Sequence, residues 1–293
     1  MTYLVSVVIP TLKARGDIVK RAVRSVINQT YKNCEIVVVS DDKNFTEKVL
    51  ERNNLLRDNV RVIQHKGEKK TPGALRNTGI RHSSGELIAF LDDGDSWEPQ
   101  KTEKQVKVFK ELSSKYELPL GLICSCYYYY LNGKYKGINC PESDLKGFVP
   151  DVVEMKPSQI WTGTVVITRE AVKTVGMFDE ELITAQDLDY WVRISKRFSI
   201  YCVQEPLPTY YMIQSKEKHL KRAYGSYLLF KKHRSAQLRR KSFLTIIWEM
   251  RKAGYLSFWE YWALKIQFLL GRSPQELIKG IEPKLRRGYH GKD

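Results

Sequence analysis

The sequence predicts an α/β fold of the Rossmann-like type, in which a mostly parallel sheet is flanked by helices and followed by a C-terminal helical extension. Continuous apolar, β-branched runs alternate with stretches of helical periodicity, as in sheets built from right-handed crossovers. The composition, 42% hydrophobic and 28% charged, is that of a globular chain. The length of 293 residues allows one large domain with an appendage.

The first hundred residues supply the strands and helices of this sheet. Residues 4–10 (LVSVVIP) form an apolar run that ends in proline and predicts a buried parallel strand. Asp17 is expected to cap a helix whose apolar positions, from Ile18 to Ile27, share one face. Further along, the pattern predicts a strand at 35–39, a helix at 46–56, a strand at 60–64, a helix from Pro72-Gly73 and a strand at 86–91.

The remainder of the chain divides at residue 213. Strands are predicted at 120–131 and 163–168, and a helix at 188–194. Beyond residue 213, two capping boxes, Ser257–Glu260 and Ser273–Glu276, begin helices, and Gly271 ends the helix between them. We therefore predict an α/β domain over 1–213 and a basic, aromatic-rich helical extension over 214–293, packed on the domain or on a membrane surface.

The net charge of +16 is concentrated in that extension. Residues 1–213 carry 30 basic and 27 acidic side chains, whereas residues 214–293 carry 19 basic and 6 acidic ones. A one-sided positive field indicates an anionic partner for the extension.

Cysteine usage and hydropathy bear on the cellular setting. The five cysteines are odd in number and contain no CxxC pair, so neither a disulfide framework nor a zinc module is expected. Reduced thiols and a cytoplasmic location, with peripheral contact to the cytoplasmic face of a membrane, are expected instead. The N-terminus has no signal-peptide pattern, and no stretch approaches the roughly 18 apolar residues of a spanning helix.

Polar residues follow three of the first four predicted strands. Because the carboxyl ends of parallel strands meet at one edge of a sheet, these residues are expected to line one ligand crevice. Three carboxylates in one turn suit Mn²⁺ or Mg²⁺, although an acidic turn that caps the next helix is an alternative. The strand ends are Pro10-Thr11, Ser40-Asp41-Asp42 and Asp92-Asp93-Gly94-Asp95.

Five segments, in order along residues 4–200, carry a family resemblance: SVVIPT, QTYKNCEIVVVSDD, LRNTGI, GELIAFLDDGDSWEP and VGMFDEEL with QDLDYWVRI. In these segments the chain resembles the inverting family 2 glycosyltransferases, which have the GT-A fold. The resemblance implies a metal-dependent, inverting hexosyltransferase. Its donor would be a nucleotide-diphospho-sugar, UDP-linked by expectation, and its acceptor a hydroxyl of a glycan or lipid-linked glycan, as in polysaccharide biosynthesis.

The resemblance also implies which residues bind the nucleotide. Pro10, Thr11 and Asp41 match the positions that hold the base, while a backbone turn contact is an equal alternative for Thr11. Asp42 could act in place of Asp41 or cap the following helix. Nucleotide binding is further implied for Arg76, beside the diphosphate, and for Asp92 and Asp93, beside the ribose.

Metal binding is implied for Asp93 and Asp95, with one departure from the family pattern. Gly94 stands where relatives often have the metal-binding Asp. Gln214 stands where many relatives have a His that contacts the metal or the diphosphate, and His219, five residues later, is the alternative for that contact.

Asp187 matches the family's catalytic base. An inverting transfer needs a base to take the proton of the acceptor hydroxyl, and Gln186-Asp187 matches the family's acidic pair. The alternative is a carboxylate that interacts with the helix N-terminus; Asp189 is predicted to be structural. Trp161, Gly163 and Thr164 match the stretch that lines the acceptor and donor sugars, with core packing as the alternative for Trp161.

The extension alternates bulky aromatic and basic residues over 243–270. Basic, Trp-rich amphipathic helices suit an anionic membrane surface. The alternatives are that the aromatic side chains pack on the domain or cover a homodimer interface.

Other functions are weighed against the transferase. Gly94 and Gln214 allow a non-catalytic, membrane-recruited relative. The net positive charge suggests a nucleic-acid-binding protein. However, the excess of basic residues lies away from the strand-end crevice and no recognition motif is present, so no nucleic-acid partner is expected. A dinucleotide oxidoreductase is excluded because no GxGxxG follows the first strand.

Overall fold

A computed structural model describes residues 2–141, 145–155, 159–213, 216–233 and 235–290. Within these residues one mixed sheet runs in the order β3-β2-β1-β4-β9-β6-β10-β5, with β7 beside β6 and β8 beside β10. The strands are β1 (Val5–Thr11), β2 (Cys34–Ser40), β3 (Val60–Gln64), β4 (Leu87–Phe90), β5 (Ser96–Trp97), β6 (Leu120–Leu131), β7 (Lys134–Asn139), β8 (Lys146–Gly147), β9 (Val166–Thr168) and β10 (Ser199–Met212).

Helices cover the sheet and form the C-terminal part of the described chain. They are α1 (Val19–Ile27), α2 (Lys43–Arg52), α3 (Pro72–Arg81), α4 (Lys101–Leu112), α5 (Pro150–Met155), α6 (Arg169–Val175), α7 (Gln186–Ser195), α8 (Lys216–Lys232), α9 (Ala236–Ala253), α10 (Phe258–Leu269) and α11 (Pro274–His290). The predicted α/β class, with a C-terminal helical extension, is confirmed.

The first four strands form the parallel half of the sheet. β1 pairs in parallel with β2 and β4, and β2 pairs in parallel with β3. All seven residues of β1 are buried, because helices lie on both faces of this half. The carboxyl ends of β1, β2 and β4 therefore meet at one edge, as the alternating pattern predicts.

The second half of the sheet is mixed. β9 is antiparallel to both β4 and β6, whereas β6 and β10 are parallel to each other. The strand predicted at 163–168 begins only at Val166, because residues 162–164 form a 3₁₀ turn. That turn carries two of the predicted sugar-site residues.

Side-chain contacts decide where two of the early helices begin. Asp17 does not cap α1, whose N-cap is Ile18; the Asp17 carboxylate pairs with Lys20 instead. Asp42 does cap α2, since its carboxylate accepts the N–H of Phe45 at 3.0 Å. For that reason α2 begins at Lys43, three residues before the predicted start.

The expectation that all five cysteines are reduced is wrong. Cys126 and Cys140 form a disulfide, while Cys34, Cys124 and Cys202 are free and buried. The hairpin of β6 and β7 brings the two cysteines together, because Tyr127 pairs with Asn139 directly beside them. The hairpin turn is Asn132-Gly133, with φ of 49° and 77°, the left-handed conformation that favours this dipeptide.

The C-terminal helices pack on one another and on the α/β domain. An apolar core joins α8, α9 and α11, with Phe243, Ile246 and Leu285 fully buried. A Cβ on Gly225 of α8 would lie 2.2 Å from Thr184 Cγ2, so only glycine allows this approach to the domain. In the part of the chain that the structure describes, no helix is long and apolar enough to cross a bilayer.

Asp189 holds α7 and α8 together. Its side chain is fully buried and contacts Arg193 at 2.9 Å and both Lys232 and His233 at 2.8 Å. Burial by itself would raise the pKa of Asp189, but the His233 hydrogen bond and the charges of Arg193 and Lys232 bring it below its usual range. The predicted structural role of Asp189 agrees with these contacts.

We expect Asp189→Asn to lower the free energy of unfolding by about 3 kcal/mol, because it leaves the cations around a buried position uncompensated. The pKa of Asp189 is lowered in the folded state, so its contribution exists above the usual Asp range and is lost as the pH falls through that range. Urea unfolding at pH 7 and pH 3 measures both effects. The exposed Asp58→Asn serves as control, and equal losses in the two variants would contradict the prediction.

Candidate active site

The ends of β1 and β4 are joined by a buried hydrogen bond. The Thr11 hydroxyl donates to Asp93 Oδ2 at 2.9 Å, and both side chains are buried. Arg15, in the short helix after β1, donates to the other oxygen of Asp93 at 2.9 Å. Asp93 is thus neutralised within the protein. Pro10 lies in β1 opposite Val39 of β2, at the same edge.

Asp41 and Asp42, at the end of β2, have separate partners. Asp41 accepts the backbone N–H of Lys13 at 2.7 Å and pairs with Lys70 at 3.2 Å. Asp42, besides capping α2, pairs with the Lys13 ammonium at 2.8 Å. Asp42 therefore has the capping role that was one of its two alternatives, and Asp41 is fixed beside the loop that follows β1.

Arg76 is a buried guanidinium with free donors. Its Nη2 donates to Asp92 Oδ1 at 2.6 Å, and its side chain is only 4% exposed. Its Nε and Nη1 atoms have no hydrogen-bond partner among the described residues. Since unpaired buried donors are costly, these N–H groups suit an anionic ligand.

Asp95 is the least compensated carboxylate at the strand ends. Its Oδ1 accepts the N–H of Tyr211 at 3.0 Å, whereas its buried Oδ2 has no well-formed hydrogen bond within the described chain and has the Trp161 indole N–H as a nearby donor. Burial, together with the charge of Asp92, raises the pKa of Asp95 well above its usual range. A carboxylate in this state fits a divalent cation, which would supply the missing positive charge.

No complete metal cage accompanies Asp95. Among the residues that the structure describes, no group of three or more His, Cys, Asp or Glu side chains is arranged to hold an ion. Mg²⁺ and Mn²⁺ are commonly held by one or two carboxylates together with phosphates and water, so this arrangement still fits. Gly94 lies against Arg15, since a Cβ there would be 3.2 Å from Arg15 Nη2.

Asp187 lies in the first turn of α7. Its Oδ2 accepts the Thr162 hydroxyl at 2.9 Å, and its Oδ1 accepts the N–H of Leu188 at 2.9 Å. The helix is preceded by Ala185, whose φ of 61° is rare for a residue with a side chain and marks a constrained turn. The base predicted from the sequence is therefore held by two donors, in a rigid position.

The predicted sugar residues lie in and beside the turn at 162–164. Trp161 stacks on Tyr210 with ring centroids 3.9 Å apart. A Cβ on Gly163 would lie 3.3 Å from Trp161 Nε1, so glycine allows the indole to sit close to this backbone. Thr164 is fully buried and its hydroxyl donates to the Trp161 carbonyl at 2.6 Å, which supports the turn.

Two residues after β10, Gln214 and His219, are predicted to contact the diphosphate. His219 is buried in α8, and its Nδ1 lies 2.5 Å from Glu249 Oε2 of α9. The predicted contact of Gln214 lies outside the described residues.

A cavity of about 900 Å³ connects several of these residues. Arg76, Asp92, Trp161 and Asp187 all line it, so the Arg76 side chain and the candidate base border one space. Asp41, Asp93 and Asp95 do not line it and belong to the adjoining edge of the sheet. The other lining residues come mainly from β6, β10, α8 and α9, including Tyr127, Tyr129, Asn139, Tyr210, Met212, Arg222, Leu244, Trp248 and Glu249.

Sequence reasoning missed several residues of this site. Arg15, which neutralises Asp93, has no local signal because the two are 78 residues apart. Thr162, which donates to Asp187, sits in an unpredicted turn. Asn139 could have been placed beside Tyr127, since Asn132-Gly133 predicts a hairpin turn, whereas the pairing of β6 with β10 has no local signal.

The strand order of the sheet, with acidic residues at its strand ends, is that of the GT-A fold. The mannosyltransferase PcManGT from Pyrobaculum calidifontis, solved with GDP-Man and Mn²⁺, has this fold, with a TM-score of 0.58 and 16% identity over 99% of this chain and 83% of that one. The pattern described as Glycosyl transferase family 2 matches residues 6–122. Over these residues, which are less than half of the chain, the sequence is similar to the family 2 glycosyltransferases.

Two sequence relatives agree with this family. The glycosyltransferase RP339 of Rickettsia prowazekii is 28% identical over 209 residues, 70% of this chain and 62% of its own length. The Escherichia coli protein UDP-Glc:alpha-D-GlcNAc-diphosphoundecaprenol beta-1,3-glucosyltransferase WfgD is 37% identical over 108 residues, 36% of this chain and 41% of its own. The chain thus spans less than two thirds of the length of either relative.

We expect Asp95→Asn to stabilise the metal-free protein by about 1 kcal/mol, because it removes an uncompensated buried charge and keeps an acceptor for the Tyr211 N–H. Asp93→Asn is the matched neighbour: it should destabilise the protein, since Arg15 and Thr11 bind the Asp93 carboxylate. Urea unfolding at pH 7 in EDTA measures both. A loss of stability in Asp95→Asn as large as that in Asp93→Asn would contradict this account of the turn.

Proposed function

We propose that the chain is an inverting hexosyltransferase that moves a sugar from a nucleotide-diphospho-sugar, a UDP-sugar by preference, to a hydroxyl of a glycan or lipid-linked glycan. The observation that carries this proposal is that Asp187 and Arg76 line one cavity. A base for the acceptor and a cation for the leaving diphosphate are what a sugar transfer requires on its two sides.

In the proposed reaction Asp187 acts on the acceptor. Its carboxylate takes the proton of the acceptor hydroxyl while that oxygen bonds to the anomeric carbon from the face opposite the donor bond. The bond from the anomeric carbon to the donor phosphate oxygen breaks, and the nucleoside diphosphate leaves with the electron pair. Attack from the opposite face inverts the configuration. The hydrogen bond from Thr162 orients the carboxylate for this step.

The donor is proposed to bind along the carboxyl ends of β1, β2 and β4. Pro10, Thr11 and Asp41 would contact the base, and Asp92 and Asp93 the ribose, with Arg76 at the diphosphate. Asp41 is fixed there by Lys13 and Lys70. The name of WfgD specifies a UDP-sugar and the PcManGT structure holds GDP-Man, so a nucleoside diphosphate is the shared feature and uracil is our preference.

The metal is proposed to be Mn²⁺ or Mg²⁺, held by Asp95 and Asp93 together with the donor diphosphate. Such an ion neutralises charge on the departing diphosphate without proton transfer. The Oδ2 of Asp95, which has no well-formed hydrogen bond within the described chain, supports this proposal, while Asp93 has less capacity because Thr11 and Arg15 already bind it. His219 is held by Glu249, so a direct contact to the diphosphate would require that pair to open.

The extension 214–293 is proposed to lie on an anionic membrane surface. No residue of α10 is buried in the described structure. Tyr261, Leu264 and Phe268 pack against the C-terminal core, but other apolar side chains of α10, and that of Leu270 after it, are exposed: Phe258 by 51%, Trp259 by 78%, Ile266 by 51%, Leu269 by 66% and Leu270 by 81%. Lys265 lies 4.7 Å from the Trp262 ring and Lys252 lies 4.8 Å from the Trp248 ring. Exposed aromatic rings flanked by cations match an anionic bilayer interface.

The transfer is tested by a thermal-shift screen of UDP-, GDP- and dTDP-sugars with and without Mn²⁺, followed by turnover of the donor that binds. Asp187→Asn should bind the donor with unchanged affinity but lose about 10²–10⁴-fold in turnover, because it removes the base alone. The exposed Asp58→Asn is the control. Donor binding without turnover in the unsubstituted protein would favour a non-catalytic relative.

Membrane association predicts binding to phosphatidylglycerol vesicles at low salt and much weaker binding to phosphatidylcholine vesicles. Trp259→Ala combined with Leu270→Ala should weaken binding about 10-fold or more, since each side chain contributes about 2 kcal/mol when buried in the interface. Tyr135→Ala, at an exposed aromatic position on β7, is the control. Unchanged vesicle binding, or a dimer that dissociates in the double variant during sedimentation velocity, would contradict the proposal.

A further inference from the structure

Beyond the candidate base, one wall of the cavity is a row of aromatic rings. Tyr210 lies in the middle: it stacks on Trp161 at 3.9 Å and on Tyr129 at 5.7 Å between ring centroids. Tyr127 packs edge-on against Tyr210 at 6.2 Å. All four side chains are half-buried and line the cavity. A pyranose ring is about as wide as one aromatic side chain, so the row is longer than a single sugar.

The row begins beside the proposed donor site. Tyr211, next to Tyr210, donates its N–H to Asp95, and Trp161 directly precedes Thr162, which binds Asp187. Tyr129 lies beside Tyr210 on the neighbouring strand β6, while Trp161 stacks on Tyr210 from the turn at 162–164. A ligand along the row therefore passes from the reacting centre toward the β6–β7 hairpin.

The hairpin of β6 and β7 holds the tyrosines of the row in place, including Tyr127, whose ring lies 6.5 Å from that of Trp161. Cys126 precedes Tyr127 and Cys140 follows Asn139, so the disulfide joins the strands next to the lining residues. The Tyr129 hydroxyl donates to Met212 Sδ of β10 at 3.2 Å. Hydrogen-bonding side chains face the same space, namely Asn139 of β7, Arg222 of α8 and Glu249 of α9. Aromatic faces together with such polar groups match the two surfaces of a sugar, its apolar C–H face and its hydroxyl edge.

We propose that this row is a subsite for the second sugar of the acceptor, so that the preferred acceptor is a glycan of at least two units. Its first unit presents the attacking hydroxyl to Asp187 beside Trp161, and its second unit stacks on Tyr129 and hydrogen-bonds to Asn139. The inference rests on the proposed function, because it assumes that the acceptor enters by this cavity. It adds Tyr129 and Asn139 as specificity residues.

The tyrosine run of β6 offers a matched control. Side chains alternate between the two faces of a strand, so Tyr129 lines the cavity whereas its neighbour Tyr128 does not. Both tyrosines are half-buried in the same strand. Tyr128→Leu and Tyr129→Leu therefore make the same chemical change on opposite faces. Asn139→Ala, at an exposed position, is a second variant that does not disturb the core.

The test is saturation-transfer NMR on the full chain with UDP and Mn²⁺. The probes are methyl glycosides of glucose, galactose, mannose and N-acetylglucosamine, and the corresponding disaccharides. At least one disaccharide should bind about 3- to 10-fold more tightly than its monosaccharide, with saturation of both rings. Tyr129→Leu should lose that advantage and Asn139→Ala should lose part of it, while Tyr128→Leu keeps it.

Three outcomes would overturn the inference: no bound glycoside, equal affinities within every pair, or equal losses in Tyr128→Leu and Tyr129→Leu. Failure of the proposed function gives a different result. In that case no nucleotide-sugar is turned over by the unsubstituted protein, whatever the glycosides do. Donor turnover to water together with equal glycoside affinities would therefore reject the subsite and leave the transferase intact.

Discussion

The site depends on the concentration of negative charge at the end of β4. Three carboxylates lie within the four residues 92–95, and the fold compensates two of them, Asp92 through Arg76 and Asp93 through Arg15. Asp95 is left buried, and one of its oxygens has no well-formed hydrogen bond in the described chain. A buried unpaired charge is unfavourable, so the turn is complete only when a cation or a proton joins it. The apolar packing of β1 and β4 holds the carboxylates there in spite of that cost.

Different parts of the sheet supply different parts of the candidate site, and the strand order determines which. The parallel strands β1, β2 and β4 bring the residues of the proposed donor site to one edge, whereas β6 and β10, on the other side of β9, carry the aromatic wall. Asp187 lies between these parts because α7 begins at a constrained turn beside residues 162–164. Helices α8 and α9 close the remaining side with Arg222 and Glu249. The C-terminal helices thus contribute to the cavity as well as to the exposed surface of α10.

Much of the fold could be predicted because its signals are local. The apolar runs at β1, β2 and β4 and the capping box at Ser257 each need only a few neighbouring residues. Asp187 and Arg76 were proposed as site residues through motif resemblance. The partners of the acidic residues were not predicted, since Thr162 and Asp187 are separated by 25 positions and Arg15 and Asp93 by 78. The disulfide was missed because pairing depends on the hairpin and not on cysteine spacing.

By itself, the sequence determined the strand–helix alternation, the acidic turn after the fourth apolar run and the carboxylate at a helix start. These follow from periodicity, β-branching and capping, which act over a few residues. Only the tertiary structure decided which carboxylates are compensated, that Asp187 shares a cavity with Arg76, and that the tyrosines of β6 form a wall beside Trp161. Those outcomes depend on burial and on contacts between distant segments, and such contacts exist only once the sheet is assembled.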